Sequence, residues 1–84
     1  NRAQSDATWS PEQASMEITT EYNLTNRQAE VLLLLIQGKR VRDIEKTLII
    51  SNGTARAHVR GVYEKCGVHS RSELMSLVIK TAPR

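Results

Sequence analysis

From Leu24 to Lys80 the chain is punctuated at short intervals by residues that start or stop helices, and this punctuation limits the fold more than any other feature. Thr25-Asn26-Arg27-Gln28 forms a capping box. In such a box the Thr hydroxyl and the Gln side chain each satisfy an N–H group that a helix start leaves without a partner. The helix it opens is predicted to run to about Gln37, with Gly38 as a left-handed stop. Val31, Leu32, Leu34, Leu35 and Ile36 cover most of its circumference, which marks it as the central helix. Val41, Ile44 and Leu48 fall at i, i+3 and i+7 and predict a short second helix. After Ile49 and Ile50, Ser51 is an N-cap for a third helix over about 52–66. That helix carries a narrow apolar stripe of Ala55, Val59, Val62, Tyr63 and Cys66, and Gly67 ends it. Ser70-Arg71-Ser72-Glu73 is a second capping box, opening a fourth helix to about Lys80, and Pro83 forbids continuation. Strand-like alternation is confined to a few residues. The fold class is therefore all-α, a four-helix domain with short connections.

Residues 1–23 differ. They are rich in Ser, Thr, Gln and Glu, with few apolar positions, and are expected to be a mostly irregular linker. Ser10-Pro11-Glu12 can open one short helix there, with Ser as cap and Pro in the first turn. The two parts also differ in charge. Residues 1–23 set Arg2 against Asp6, Glu12, Glu17 and Glu21, a net −3, so the chain's +3 leaves +6 on residues 24–84. A basic domain behind an acidic lead-in suits a polyanionic partner, although a solvated basic surface gives the same count.

Several function classes are excluded early. One Cys makes no internal disulfide, and one Cys with two His falls short of the roughly four ligands of a structural zinc site. Cys66 lies on an apolar stripe and reads as an inert buried thiol. His58 and His69 form no catalytic arrangement with it, and no Gly-rich phosphate loop is present. Neither an enzyme nor a cofactor or metal is expected. No apolar run approaches the roughly 20 residues that cross a bilayer, and no signal peptide is visible. The chain opens on Asn1 and is expected to be a piece of a longer protein; the expected location is cytoplasmic, with any membrane anchor in a missing N-terminal part.

The third helix carries the functional signal. With Ala55 at 0° and about 100° per residue, the apolar stripe centres near 20°, while Arg56 falls near 100°, Arg60 near 140° and Ala57 near 200°, on the outward side. Gly53 shares that outward side. Thr54, His58 and Lys65 lie along one flank. Long donors beside small residues suit a helix whose backbone must approach a groove floor, with arginines reaching base edges and the flank holding phosphates. The helix start near Ser51 and Asn52 adds free N–H groups and partial positive charge. A short helix and a three-residue turn before it present the next helix outward. An ordinary amphipathic surface helix would place its arginines in water.

Leu24-Thr25-Asn26-Arg27-Gln28-Ala29-Glu30-Val31-Leu32, Gly38, Ile44, Leu48, Ile50-Ser51, Thr54 to Val59, Lys65-Cys66-Gly67-Val68 and Ser70-Arg71 together resemble the LuxR-type helix-turn-helix DNA-binding domain. The resemblance covers residues 24 to about 80 with spacing intact. It implies that Arg56, Ala57 and Arg60 contact bases in double-stranded DNA. It places Thr54 and His58 near phosphates; Ser51, Asn52, Lys65 and Arg42 complete the expected phosphate-contacting set. It also implies dimerisation through the last helix. There Leu74, Leu77 and Val78 form a core-facing stripe, while Ser72, Met75 and Ile79 lie on a different side and are the expected interface of a weak homodimer. Such domains sit behind an N-terminal sensory, receiver or membrane-embedded domain.

Four residues depart from the family pattern. Arg40 stands where a Ser or Thr cap is usual, Glu45 where a small Ala is, Ala55 where Val is and Cys66 where Leu is. Glu45 matters most: a carboxylate facing the contact between two helices is costly unless it is paired or reaches water. Truncation of Val to Ala at position 55 is expected to make room for its stem. Two other readings compete. A helical protein-interaction module would show apolar or acidic groups where Arg56 and Arg60 stand. A sigma-factor-like promoter-binding domain shares the helix-turn-helix, but the separately capped last helix argues against it.

Overall fold

The computed structural model describes residues 10–81, which form five helices and no strand. They are α1 (Pro11–Tyr22), α2 (Asn26–Ile36), α3 (Val41–Leu48), α4 (Asn52–Cys66) and α5 (Arg71–Lys80). The all-α class is as the sequence implies. The fifth helix is the one that Ser10-Pro11-Glu12 can open. Ser10 Oγ accepts from Gln13 N at 3.1 Å, Pro11 occupies the first turn, and the helix continues for 12 residues. Ala14 and Ile18, one turn apart, are fully buried. Burying one Ile contributes about 2 kcal/mol, more than the roughly 1 kcal/mol of a cap, so packing holds α1 more than its own ends do.

The core is built around α2, which packs against α1, α4 and α5. Val31, Leu32 and Leu35 are buried to 1% exposure or less and meet Ile44 of α3, Ala55 and Val62 of α4, and Leu74 and Val78 of α5 in one apolar cluster. α4 crosses α2 closely. A Cβ added at Gly61 would lie 2.7 Å from Gln28 Nε2, so no side chain fits there without displacing the capping glutamine.

The helix starts follow the sequence, with two adjustments. The Thr25–Gln28 box is complete: Gln28 N donates to Thr25 Oγ1 at 3.1 Å and Thr25 N to Gln28 Oε1 at 3.0 Å. Arg40 has no side-chain acceptor for α3, yet α3 starts at Val41 as expected, because Arg40 N donates to Asp43 Oδ2 at 2.9 Å. At α5, Glu73 N donates to Ser70 Oγ at 3.1 Å. The Glu73 carboxylate reaches one residue further back than a capping box requires, accepting from His69 N at 2.8 Å.

The first four helices end alike. A residue in the left-handed region is followed by an N–H that closes five residues back: Leu24 on Thr19, Lys39 on Leu34, Ile50 on Glu45 and Val68 on Tyr63, each at 3.0 Å. The left-handed residues are Asn23, Gly38, Ile49 and Gly67. Gly and Asn tolerate this conformation. A β-branched Ile does not do so readily, and its Cβ crowds the backbone.

Candidate nucleic-acid interface

Ile49 and Ile50 alone separate α3 from the cap of α4. The fully buried Ile44 anchors α3, with Val41, Leu48 and Ile50 half-buried around it. Ile49 turns the chain at φ 55° and leaves its side chain 88% exposed. The turn is thus short and backbone-closed, and it fixes α4 across α3. Ala55, Val62 and Cys66 face the core from α4, whereas Gly53, Arg56, Ala57 and Arg60 face outward and are exposed.

The start of α4 is organised by its own side chains. Thr54 N donates to Ser51 Oγ at 3.2 Å, and Ser51 Oγ donates to Thr54 Oγ1 at 3.0 Å, which leaves the Thr54 hydroxyl proton to point elsewhere. The N–H groups of Asn52 and Gly53 have no acceptor within the helix and sit at its positive end. Asn52 links two helices: its Nδ2 donates to Glu45 Oε2 at 2.7 Å, and its Oδ1 accepts from Arg56 Nε at 3.0 Å. Glu45 is half-buried, so its carboxylate is both paired and in reach of water. Arg40, Arg42, Asn52 and Arg56 line a groove between α3 and α4 together with Asp43 and Glu45.

A family model described as bacterial regulatory proteins, luxR family, matches residues 22–78, from the end of α1 into the last turns of α5. The chain belongs to the LuxR family. It is a helix-turn-helix DNA-binding domain of transcription regulation. It is 37% identical over 73 residues to an uncharacterized response regulatory protein, YgeK, of Escherichia coli K12, covering 87% of this chain and 47% of that protein. It is 42% identical over 50 residues to the spore germination protein GerE of Bacillus subtilis, covering 60% of this chain and 68% of that one. With the Fimbriae Z protein of E. coli K12 it shares 38% over 52 residues, 62% of this chain but 25% of the relative. The chain thus spans about half of the first of these relatives and a quarter of the last. No solved structure matches it.

On this LuxR-family domain the residues expected to contact DNA divide into two groups. Arg42, Ser51, Asn52, Thr54, Arg56, Ala57 and Arg60 cluster around the turn and the first half of α4, all exposed, with His58 half-buried beside them. Lys65 is apart, at the far end of α4, where its Nζ donates to the Asn23 carbonyl oxygen at the end of α1, 3.1 Å away. On α5, Ser72 is exposed and Ile79 is 69% exposed, while Met75 is half-buried. Leu74 and Val78 are buried as expected, and Leu77 only half so. The Cys66 thiol is pushed above its ordinary range, first by burial and then by the nearby Glu21 charge, which keeps it neutral in the core. Among the described residues no helix is long and apolar enough to cross a membrane.

Sequence reasoning missed Arg71. Its Nη1 donates to Leu35 O at 3.0 Å and its Nη2 to Lys39 O at 2.6 Å, closing the end of α2 from the start of α5. A signal existed: a cation in the first turn of a helix opposes the helix dipole and needs another partner.

Proposed function

We propose that α4 enters the major groove of duplex DNA, with Arg56 and Arg60 on base edges and Ala57 letting the backbone approach. The observation that carries this reading is the exposed Arg56–Ala57–Arg60 face on a helix whose opposite face is buried. Arginine is the usual bidentate reader of guanine O6 and N7. Arg42, Ser51, Thr54 and His58 hold phosphates around that contact. Asn52 joins them through its main-chain N–H, since its side chain is engaged with Glu45 and Arg56. Lys65 reaches a phosphate with the N–H groups it does not spend on Asn23. Two copies pair weakly through Ser72, Met75 and Ile79 of α5 about a two-fold axis, which sets two α4 helices on adjacent half-sites. In the longer protein this domain follows an N-terminal receiver or other sensory domain, a reading supported by the response regulatory name of one relative.

The test is binding to random duplex and to a duplex selected from a random pool, across a salt series. Affinity for both is expected to fall steeply with salt, log K declining by about 0.9 per phosphate neutralised for each decade of salt. Arg56→Ala and Arg60→Ala should each cost about 1–3 kcal/mol on the selected duplex and much less on the random one. Equal losses on both would assign the arginines to phosphates, and salt-independent binding would remove DNA as the partner.

A further inference from the structure

We infer that Glu45 is a positioning residue for sequence discrimination, acting on Arg56 through Asn52. The inference rests on the reading of Arg56 as a base reader and concerns how that arginine is aimed.

The argument begins with the Asn52 amide, which has a donor end and an acceptor end and can be turned either way. A carboxylate accepts and does not donate. With Glu45 Oε2 at 2.7 Å, the amide must present Nδ2 to Glu45 and therefore Oδ1 to the other side, where Arg56 Nε donates to it at 3.0 Å. Turned the other way, the amide would set its NH2 against the guanidinium, donor against donor. Glu45 is half-buried on α3, across the turn, so it is a steadier reference than the exposed side chains of α4 itself. Arg56 is thereby held by its Nε edge. Its Nη1 and Nη2 remain as a parallel pair, the arrangement that matches guanine O6 and N7. Fixing one rotamer-rich side chain before binding also removes part of the ordering cost at the interface. Glu45 stands where the family pattern has a small Ala, so this device distinguishes this chain from that pattern.

A carboxylate near DNA also repels phosphates, and the test must separate positioning from repulsion. Glu45→Ala, Glu45→Gln, Asn52→Ala and Arg56→Ala are each measured on the selected and the random duplex, with thermal melting to confirm folding. Glu45→Gln removes the charge but keeps an acceptor for Asn52. The expected result is a loss of about tenfold in the ratio of selected to random affinity for Glu45→Ala, relaxed at the base pair that Arg56 contacts, with most of the ratio retained in Glu45→Gln. In the free protein, the Arg56 Nε–H signal in nitrogen-15 spectra should be protected from exchange in the parent chain and lose that protection in Glu45→Ala and Asn52→Ala. If Glu45→Gln matches Glu45→Ala, Glu45 acts by charge alone and the inference falls. It falls equally if Glu45→Ala keeps the full ratio, or if Arg56 Nε–H exchange does not change. In those cases a lower ratio in Arg56→Ala would still leave the base-reading role of α4 standing. An unchanged ratio in Arg56→Ala would overturn that role and this inference with it.

Discussion

Arg71 Nη1 donates to the Leu35 carbonyl oxygen at 3.0 Å, tying the first residue of α5 to the end of α2 across 36 positions of sequence. The same guanidinium donates to Lys39 O, so one planar group adds a second donor to the Leu35 carbonyl, which already accepts from Gly38 N, and ties the loop after α2 to α5. Charged hydrogen bonds contribute about 1.5–3 kcal/mol each when buried, and less here because the site is partly wet. Arg71→Ala is therefore expected to cost about 2 kcal/mol, a fall in melting temperature on the order of 10 °C. Arg71→Lys should recover less than half, since a point charge cannot span both carbonyls. An unchanged melting temperature in Arg71→Ala would mean that water serves these carbonyls equally well.

Ile49 sits at φ 55°, where its neighbours in role, Asn23, Gly38 and Gly67, are residues suited to the left-handed region. The strain of an L residue there is roughly 1–2 kcal/mol. At 88% exposure the side chain gives back little through burial. Ile49→Gly should therefore stabilise the domain by about 1 kcal/mol after the entropy cost of glycine, while Ile49→Ala, which keeps a Cβ, should not. Denaturant titration of both variants checks this. A gain in both would place the effect in the exposed side chain and not in the backbone.

The helix boundaries were legible because capping is local. Thr25, Gln28, Gly38, Ser51 and Gly67 act within a few residues of themselves, and α3 and α4 fall where these signals place them. Arg40 did not spoil the start of α3, because Asp43 supplies an acceptor from the other side of the cap. The contacts that escaped are those between elements. Lys65 finds Asn23 42 positions away, and only the packing of α1 brings that carbonyl near. Asn52 was legible as a residue at the start of α4, but the direction of its amide depends on Glu45 across the turn. Ile49 marked a turn by position, while nothing in a pair of isoleucines announced a left-handed backbone.

Cys66 makes the stability of the domain depend on pH. Its thiol is held above the ordinary value of 9.0, mainly by burial. The folded chain therefore binds this proton more tightly than the unfolded chain. The associated stability is fully present below the unfolded value and is lost as pH rises from there through the folded value. Cys66→Ala should be less stable than the parent at pH 7, and the gap should narrow by pH 10, measured by denaturant titration. A constant gap would show that the thiol does not titrate differently in the two states. In the folded protein at pH 7, thiol reagents should react no faster than local opening exposes the group.

The dimer surface proposed on α5 separates into two kinds of residue. Ile79 is 69% exposed and Ser72 is exposed, so neither is needed by the core. Met75 is half-buried, and a charge there disturbs the fold as well as any partner. Ile79→Glu is therefore the clean variant, and the double variant Met75→Glu with Ile79→Glu the stronger one. The apolar patch is small, so association without DNA should be weak and seen only at high concentration. On a duplex with two half-sites, two-fold pairing would make binding cooperative, and Ile79→Glu should reduce that cooperativity without changing affinity for a single half-site. The double variant should abolish it and also lower the melting temperature. Gel-shift titration on one-site and two-site duplexes distinguishes these outcomes. Unchanged cooperativity in the double variant would move the dimer contact off this face of α5, or mean that each domain binds DNA alone.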